Sequence, residues 1–202
     1  MMNDKLARIG STVAIGAFAV LAACTPKDDT AVIDSAATAT AATVDSAVST
    51  VGTGTMTDAN IFSALTTANA AEVEAGKAAA TKATDADVKA FAQMMVTDHQ
   101  AMLDKGNELA RTLNIVPVAG ETAEDVREDS KDAAEDLKDE AGRDFNDEYI
   151  EKQIDAHENT LEILDRANNS TANADIKALI AEARPKVQAH LDRAKQIKDK
   201  ID

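Results

Sequence analysis

Apolar residues recur with the 3.6-residue period of an α-helix from Asp58 onward, with interruptions. The three Pro and eight Gly of the chain are too few for the many tight turns of an all-β protein. Four segments carry an apolar stripe, and we expect helices over about 58–82, 84–113, 145–167 and 173–201. The chain is therefore predicted to be all-α.

The segment between the second and third predicted helices is strongly acidic. Residues 121–144 contain eleven acidic and four basic side chains. Their apolar stripe consists only of Val126, Ala133, Leu137 and Ala141. This composition predicts a solvated, loosely attached helix.

A short repeat groups the four predicted helices into two hairpins. The motif ADVKAF at 86–91 opens the second helix, and ADIKAL at 174–179 opens the fourth. Convergent capping would also produce so short a motif. Two hairpins joined by a long segment predict a ferritin-like up-down four-helix bundle over residues 58–202, with an extra acidic helix between helices 2 and 3.

Residues 1–23 have the pattern of a signal peptide. Lys5 and Arg8 precede an apolar run that is too short to span a bilayer comfortably. The run ends in Leu21-Ala22-Ala23-Cys24, which resembles the lipobox of bacterial lipoproteins, in which the cysteine is lipidated. A chance cysteine in an ordinary secretory signal is the alternative.

Cys24 is the only cysteine, so an internal disulfide is excluded. By resemblance to the sorting rule of Gram-negative lipoproteins, Thr25 favours the outer membrane, with the protein facing the periplasm. Residues 24–57 are rich in Ala, Thr, Ser, Val and Asp and are predicted to form a flexible tether. A short helix near 33–48 is the competing interpretation, and it would be marginal alone.

The charge balance limits the partners of this protein. The chain has 21 Lys+Arg against 36 Asp+Glu, a net charge of -15. That negative charge argues against binding to nucleic acid and against adsorption on anionic lipid. We therefore expect the lipid at Cys24 to provide the contact with the membrane, and an envelope protein remains open as a partner.

Each predicted bundle helix places one ligand-type side chain on its inward stripe. These residues are Glu72, His99, His157 and His190. In an up-down bundle with both hairpin turns at one end, their depths differ by about three residues, or roughly 4–5 Å. Three imidazoles and a carboxylate would suit one zinc, copper or iron ion. Met95 and Met102 flank His99 and could favour copper(I).

A buried polar network without metal is the alternative to a metal site. Such a network fixes the register of packed helices, and the protein would then be a structural or interaction module of the envelope. The sequence contains no Gly-x-Ser-x-Gly elbow, dinucleotide fingerprint or phosphate loop. No residue is predicted to be catalytic.

Several motifs carry a family resemblance. They are AEVEAGK at 71–77, VKAFAQMMVTDH at 88–99, and Phe145, Tyr149, Gln153, His157-Glu158, Pro185 and His190-Leu191. Together they resemble the envelope proteins grouped as domain of unknown function 4142, a ferritin-like helical family, over about Thr57 to Lys195. The resemblance implies a four-helix bundle that faces the periplasm.

One departure concerns iron oxidation. Iron-oxidising ferritin-like proteins carry Glu-x-x-His on two helices, whereas Val96 and Ile154 lie three residues before His99 and His157 here. A ferritin-like metal oxidase therefore ranks third among the hypotheses.

Overall fold

The computed structural model describes residues 55–201, which form five helices and no strand. They are α1 (Asp58–Lys82), α2 (Ala86–Thr112), α3 (Glu121–Asp136), α4 (Gly142–Ser170) and α5 (Ala174–Ile201). The all-α prediction is confirmed over this range. None of these five helices is long and apolar enough to cross a membrane. The expected signal peptide, Cys24 and the tether up to residue 54 lie outside the described residues.

The start of α1 is fixed by a capping box. The Thr57 hydroxyl accepts a hydrogen bond from the Asn60 backbone N–H at 3.2 Å, and the Asn60 side chain accepts from the Thr57 N–H at 3.3 Å. Met56, assigned to the tether from sequence, is buried against the bundle, and its N–H donates to Ser170 Oγ at 3.1 Å. Ordered packing therefore begins before the predicted domain boundary.

Helix α2 begins two residues later than predicted. The Asp85 carboxylate caps it by accepting from the N–H groups of Asp87 and Val88. Thr84, the predicted start, is engaged elsewhere: its N–H donates to Asn146 Oδ1 and its hydroxyl accepts from Asn146 Nδ2. Thr84 is thus held by a contact with α4 and precedes the helix.

Helix α4 is longer than predicted. It begins at Gly142, which takes a φ of +62° that glycine adopts without strain. It also continues through Asn168-Asn169-Ser170, beyond the predicted end at residue 167. Packing overrides the weak helix propensity of Asn here, because Ala167 is fully buried and the Ser170 hydroxyl donates to the Arg166 carbonyl. The chain then turns, and Asn173 caps α5.

The acidic segment is divided between α3, a connection and the first turn of α4. The start of α3 is more firmly attached than predicted, since Thr122, Ala123 and Val126 are buried. Arg166 on α4 also donates a hydrogen bond to the Thr122 hydroxyl. The expected solvated character holds for the rest of α3, most of whose acidic side chains are exposed.

Two apolar clusters fill the interior of the bundle. The first cluster includes Phe62, Ala110, Leu164, Ile176 and Val187. The second cluster includes Ala79, Phe91, Phe145, Tyr149 and Ile197. Helices α1, α2, α4 and α5 contribute residues to both clusters, and they therefore span the core from one end to the other.

The order of the clusters along each helix gives its direction. Helices α1 and α5 run from the first cluster to the second, whereas α2 and α4 run from the second to the first. The two hairpin turns therefore lie at opposite ends, and the predicted up-down order, with both turns at one end, is wrong. Helix α3 is the reason, because Val126 near its start packs in the first cluster and Leu137 at its end packs against the second. Its 16 residues carry the chain about 24 Å back along the bundle at 1.5 Å per residue.

The four inward polar residues lie between the two clusters. On α1, Glu72 falls between Ala68 of the first cluster and Ala79 of the second. The histidines hold the same place on their helices, with His157 between Ile150 and Ile163 as an example. Each residue lies near the middle of its helix, so the four share one layer although the turns are at opposite ends.

Candidate metal centre

Three histidines from three helices meet in this polar layer. His99 comes from α2, His157 from α4 and His190 from α5, and each is at most 3% exposed. Their ring centroids are 5.2 to 5.6 Å apart. One ring nitrogen from each residue lies within 4.8 Å of the others. Three of the four residues predicted from sequence as metal ligands are therefore brought together.

The outer nitrogen of His99 is held by Asn69 on α1. His99 Nδ1 lies 2.9 Å from Asn69 Oδ1. The amide of Asn69 is oriented by its own Nδ2, which donates to the Leu65 carbonyl at 2.7 Å. Asn69 Oδ1 can therefore only accept, so His99 Nδ1 carries the proton and His99 Nε2 presents a lone pair.

Each of the other two histidines also has one ring nitrogen next to a hydrogen-bond acceptor. His157 Nδ1 lies 2.8 Å from the backbone carbonyl oxygen of Gln153, one turn earlier on α4. His190 Nε2 lies 2.9 Å from Asp98 Oδ2 on α2. A carbonyl and a carboxylate accept hydrogen bonds, so these two nitrogens carry the protons. Lone pairs remain on His157 Nε2 and His190 Nδ1.

The three lone-pair nitrogens are buried and have no hydrogen-bond partner within residues 55–201. They are His99 Nε2, His157 Nε2 and His190 Nδ1. A buried polar atom without a partner is costly, and three of them in one layer are unusual for a core that serves only packing. An outer nitrogen bound to a carbonyl or carboxylate and an inner lone pair is the arrangement of metal-ligating histidines.

The layer favours neutral imidazole. Burial lowers the pKa of His99 to about 2, and the neighbouring His157 and His190 lower it further. Burial also lowers the pKa of His157 to about 4. The pKa of His190 is lowered by burial although its hydrogen bond to Asp98 opposes the change. Protons therefore do not compete for these lone pairs near neutral pH.

The fourth predicted ligand, Glu72, lies outside the group of three. Its carboxylate is buried and accepts a hydrogen bond from Gln153 Nε2 at 2.9 Å. Burial raises its pKa to about 7, although the Gln153 hydrogen bond and the electrostatic interaction with His190 oppose the change. A buried carboxylate needs a hydrogen-bond partner, and Gln153 provides it.

Three residues of this layer were not predicted to have a role. Asn69 lies one helical turn before Glu72, Asp98 directly precedes His99, and Gln153 lies one turn before His157. Each is a polar residue next to a predicted ligand in sequence or on the helix face. Asp98 and Gln153 stand in the motifs that carry the family resemblance, whereas no sequence signal distinguishes Asn69 from other polar residues of its helix.

The methionines flanking His99 have different surroundings. Met95 is fully buried within the second cluster. Met102 lines a small cavity beside His99. Neither position indicates a sulfur ligand more strongly than ordinary core packing.

The residue types of the three-histidine group differ from those of a ferritin-like di-iron site. Among residues 55–201, the group of potential ligands contains three imidazoles and no carboxylate. The di-iron sites of ferritin-like proteins are built mostly from carboxylates. The geometry therefore agrees with the absence of the two Glu-x-x-His motifs.

Comparison with known proteins supports the resemblance seen in the sequence. No curated protein and no solved structure matches the chain. The family described as Domain of unknown function (DUF4142) matches residues 43–197, well over half of the chain. The chain therefore belongs to the family described as Domain of unknown function (DUF4142).

Proposed function

We propose that this protein binds one transition-metal ion through His99, His157 and His190 and acts as a metal-binding protein of the bacterial envelope rather than as an enzyme. The observation that carries the proposal is the set of three buried lone-pair nitrogens without partners. Each is oriented by an acceptor on its opposite nitrogen. This arrangement supplies both the ligands and the groups that hold them.

The donor set fits zinc, copper or iron. Two nitrogens bound tetrahedrally to one zinc ion at about 2.0–2.1 Å lie about 3.4 Å apart. The nitrogens of the three histidines lie within 4.8 Å of one another, so side-chain rotations that draw them together by up to about 1.4 Å would complete the site. Three imidazoles leave one position of a tetrahedral ion for water or for the carboxylate of Glu72.

The fold we propose is a ferritin-like four-helix bundle. Helices α1, α2, α4 and α5 span both apolar clusters, and α3 is a long crossover between two hairpins. One such crossover is characteristic of ferritin-like bundles. Metal sites in these bundles are built from inward side chains on facing helices.

The location we propose rests on the sequence. The pattern of residues 1–23 and the lipobox-like Leu21-Ala22-Ala23-Cys24 support export and lipidation of Cys24. Thr25 supports the outer membrane, with the bundle in the periplasm. An envelope protein partner would meet a strongly acidic surface.

Calorimetric titration of the full chain carrying Cys24→Ser tests the proposal. With zinc, copper or anaerobic ferrous iron, we expect one ion per chain for at least one metal, and His99→Ala should abolish that binding. Gln100→Ala is the matched control, because Gln100 is the exposed neighbour of His99 and bonds Asp104 instead. Absence of binding by all three metals would remove the proposal.

A structural module of the envelope is the second candidate. It is supported by the position of the polar layer between two apolar clusters, where it would fix the register of the helices. In that case a chelator leaves the melting temperature unchanged, and no metal raises it. Metal analysis of protein purified from its native envelope decides between the two candidates directly.

A further inference from the structure

A cleft of about 720 Å³ lies between α1, α3 and α4. Its walls include the methyl groups of Ala71, Ala75, Ala78, Ala133 and Ala134, and charged side chains, among them Asp132 and Lys152, also line it. Its volume lies within the range of sites that hold small organic molecules, roughly 300–1,000 Å³. The cleft is therefore large enough, and apolar enough, for a small organic ligand.

The cleft is bordered by buried polar atoms that lack partners. Tyr149 and Gln153 line it and are only 1% and 3% exposed. The Tyr149 hydroxyl and Gln153 Oε1 have no hydrogen-bond partner among the described residues. Glu72 also lines the cleft, and its carboxylate accepts from Gln153 Nε2. A small number of polar groups in the lining of a pocket is the usual means of orienting a ligand.

The outer wall of the cleft is fastened at the far end of α3. Lys152 on α4 pairs with Asp136 at 2.6 Å. Lys82 on α1 donates to the carbonyl oxygens of Leu137 and Lys138 at 2.7 and 2.9 Å. These contacts tie the end of α3 to both neighbouring helices, so the wall is a defined part of the fold.

We propose that this cleft binds a small, largely apolar molecule with one hydrogen-bond-donating head group, a hydroxyl or an amine. Gln153 Oε1 can only accept hydrogen bonds, so the head group must donate to it. The Tyr149 hydroxyl can donate to the oxygen of an alcohol or accept from an amine. The alanine walls cover the apolar body. This site contains none of the three histidines and requires no metal, and the residue that it shares with the proposed metal centre is Glu72.

Three naphthalenes that differ only in the head group test the proposal. They are 2-naphthol, 2-(aminomethyl)naphthalene and 2-methoxynaphthalene, titrated with chelator present into the full chain carrying Cys24→Ser. The chain has no Trp and one Tyr, so naphthalene fluorescence is read with little protein background. We expect the hydroxyl or amine compound to bind at least tenfold more tightly than the methoxy compound. Equal affinities, or no binding by any of the three, would overturn the proposal.

Two variants locate the binding. Tyr149→Phe removes only the hydroxyl and should weaken the donor-bearing ligand roughly three- to tenfold. Ala75→Leu places bulk inside the cleft and should abolish binding, whereas Ala101→Leu, on the exposed face of α2, should not. Identical affinities for the Ala75 and Ala101 variants would show that the ligand binds elsewhere. The metal titration is read separately, so failure of one proposal leaves the other intact.

Discussion

Asp98 on α2 accepts a hydrogen bond from Nε2 of His190 on α5, with 2.9 Å between the two atoms. Asp98 is also the sequence neighbour of His99. Helix α2 thus supplies one histidine of the cluster and the carboxylate that orients another. The contact spans 92 positions of the chain, and it determines that Nδ1 of His190 carries the lone pair.

Removing this acceptor should weaken metal binding without removing a ligand. In Asp98→Ala, nothing holds the outer nitrogen of His190, so we expect the metal affinity to fall roughly 10- to 100-fold. Asp98→Asn keeps an acceptor oxygen, so its metal affinity should fall less than that of Asp98→Ala. Calorimetry with the metal that binds the parent protein measures both effects.

Asp104→Ala is the control for that pair, since Asp104 is an exposed acidic residue of α2 that bonds Gln100. Its affinity should equal that of the parent protein. An Asp98→Ala protein with undiminished affinity would contradict the orienting role of Asp98.

His99→Leu distinguishes whether His99 binds a metal or only packs in the core. In metal-free protein we expect the change in unfolding free energy to stay within about 1 kcal/mol, or to be a gain, because an apolar side chain replaces a buried nitrogen without a partner. Asn69 is half-buried, so water can replace the lost donor. The rise in melting temperature caused by metal in the parent should disappear in the variant, as thermal unfolding with and without metal will show. A metal-dependent rise that persists in the variant would exclude His99 as a ligand.

Glu72→Gln should raise the stability of the metal-free protein at alkaline pH. Burial raises the pKa of Glu72 from 4.5 to about 7, so the folded state keeps a proton that the unfolded state releases within that window. Stability from this group is therefore present below pH 4.5 and is lost as the pH rises toward 7. The variant should match the parent near pH 4 and exceed it at pH 8 by up to roughly 3 kcal/mol, at 1.36 kcal/mol per pKa unit.

Urea unfolding of both proteins at pH 4, 6 and 8 measures this difference. Glu74→Gln is the matched control, because Glu74 is exposed on the same helix. A constant difference between Glu72→Gln and the parent at all three values would show that titration of Glu72 does not affect folding.

Acid should destabilise the metal-free protein through the histidines. Their pKa values are lowered by burial, to about 2 for His99 and about 4 for His157, from 6.5. The unfolded state therefore binds more protons below pH 6.5, and stability falls as the pH falls from 6.5 toward 4. His157→Leu should flatten this part of the pH profile, which urea midpoints between pH 4 and 7 will test. An unchanged slope would contradict a neutral, buried His157.

Cys24→Ser should release the protein from the membrane without unfolding the bundle. Acyl chains contribute about 0.8 kcal/mol per buried methylene, so two or three chains hold a protein firmly. Cys24 lies 31 positions before residue 55, where the described part of the chain begins. Cell fractionation should find the variant in the soluble periplasmic fraction, with unchanged helix content and melting temperature. If the variant remains on the membrane, lipid at Cys24 is not the anchor.

The local periodicity of apolar residues was sufficient to predict where the helices lie and which face of each helix is buried. The predicted bounds of α1 agree with the structure, and Glu72, His99, His157 and His190 are all buried. Both results depend on side chains three or four positions apart, and this spacing can be read directly from the sequence. The predicted ends of α2 and α4 were less accurate. The start of α2 differs because Thr84 forms hydrogen bonds with Asn146 on α4, and the end of α4 differs because it packs against the core.

Only the tertiary structure decided how the hairpins run and which atoms meet. The direction of α4 follows from the return of the chain along α3, since Val126 and Leu137 pack at opposite ends of the core. The inward nitrogen of each histidine is set by a hydrogen bond on its other nitrogen, and for His99 and His190 the acceptors, Asn69 and Asp98, lie on another helix. Glu72 bonds Gln153, 81 positions away. Contacts between residues so far apart in sequence leave no periodic trace, because they depend on how helices pack and not on which face each helix buries.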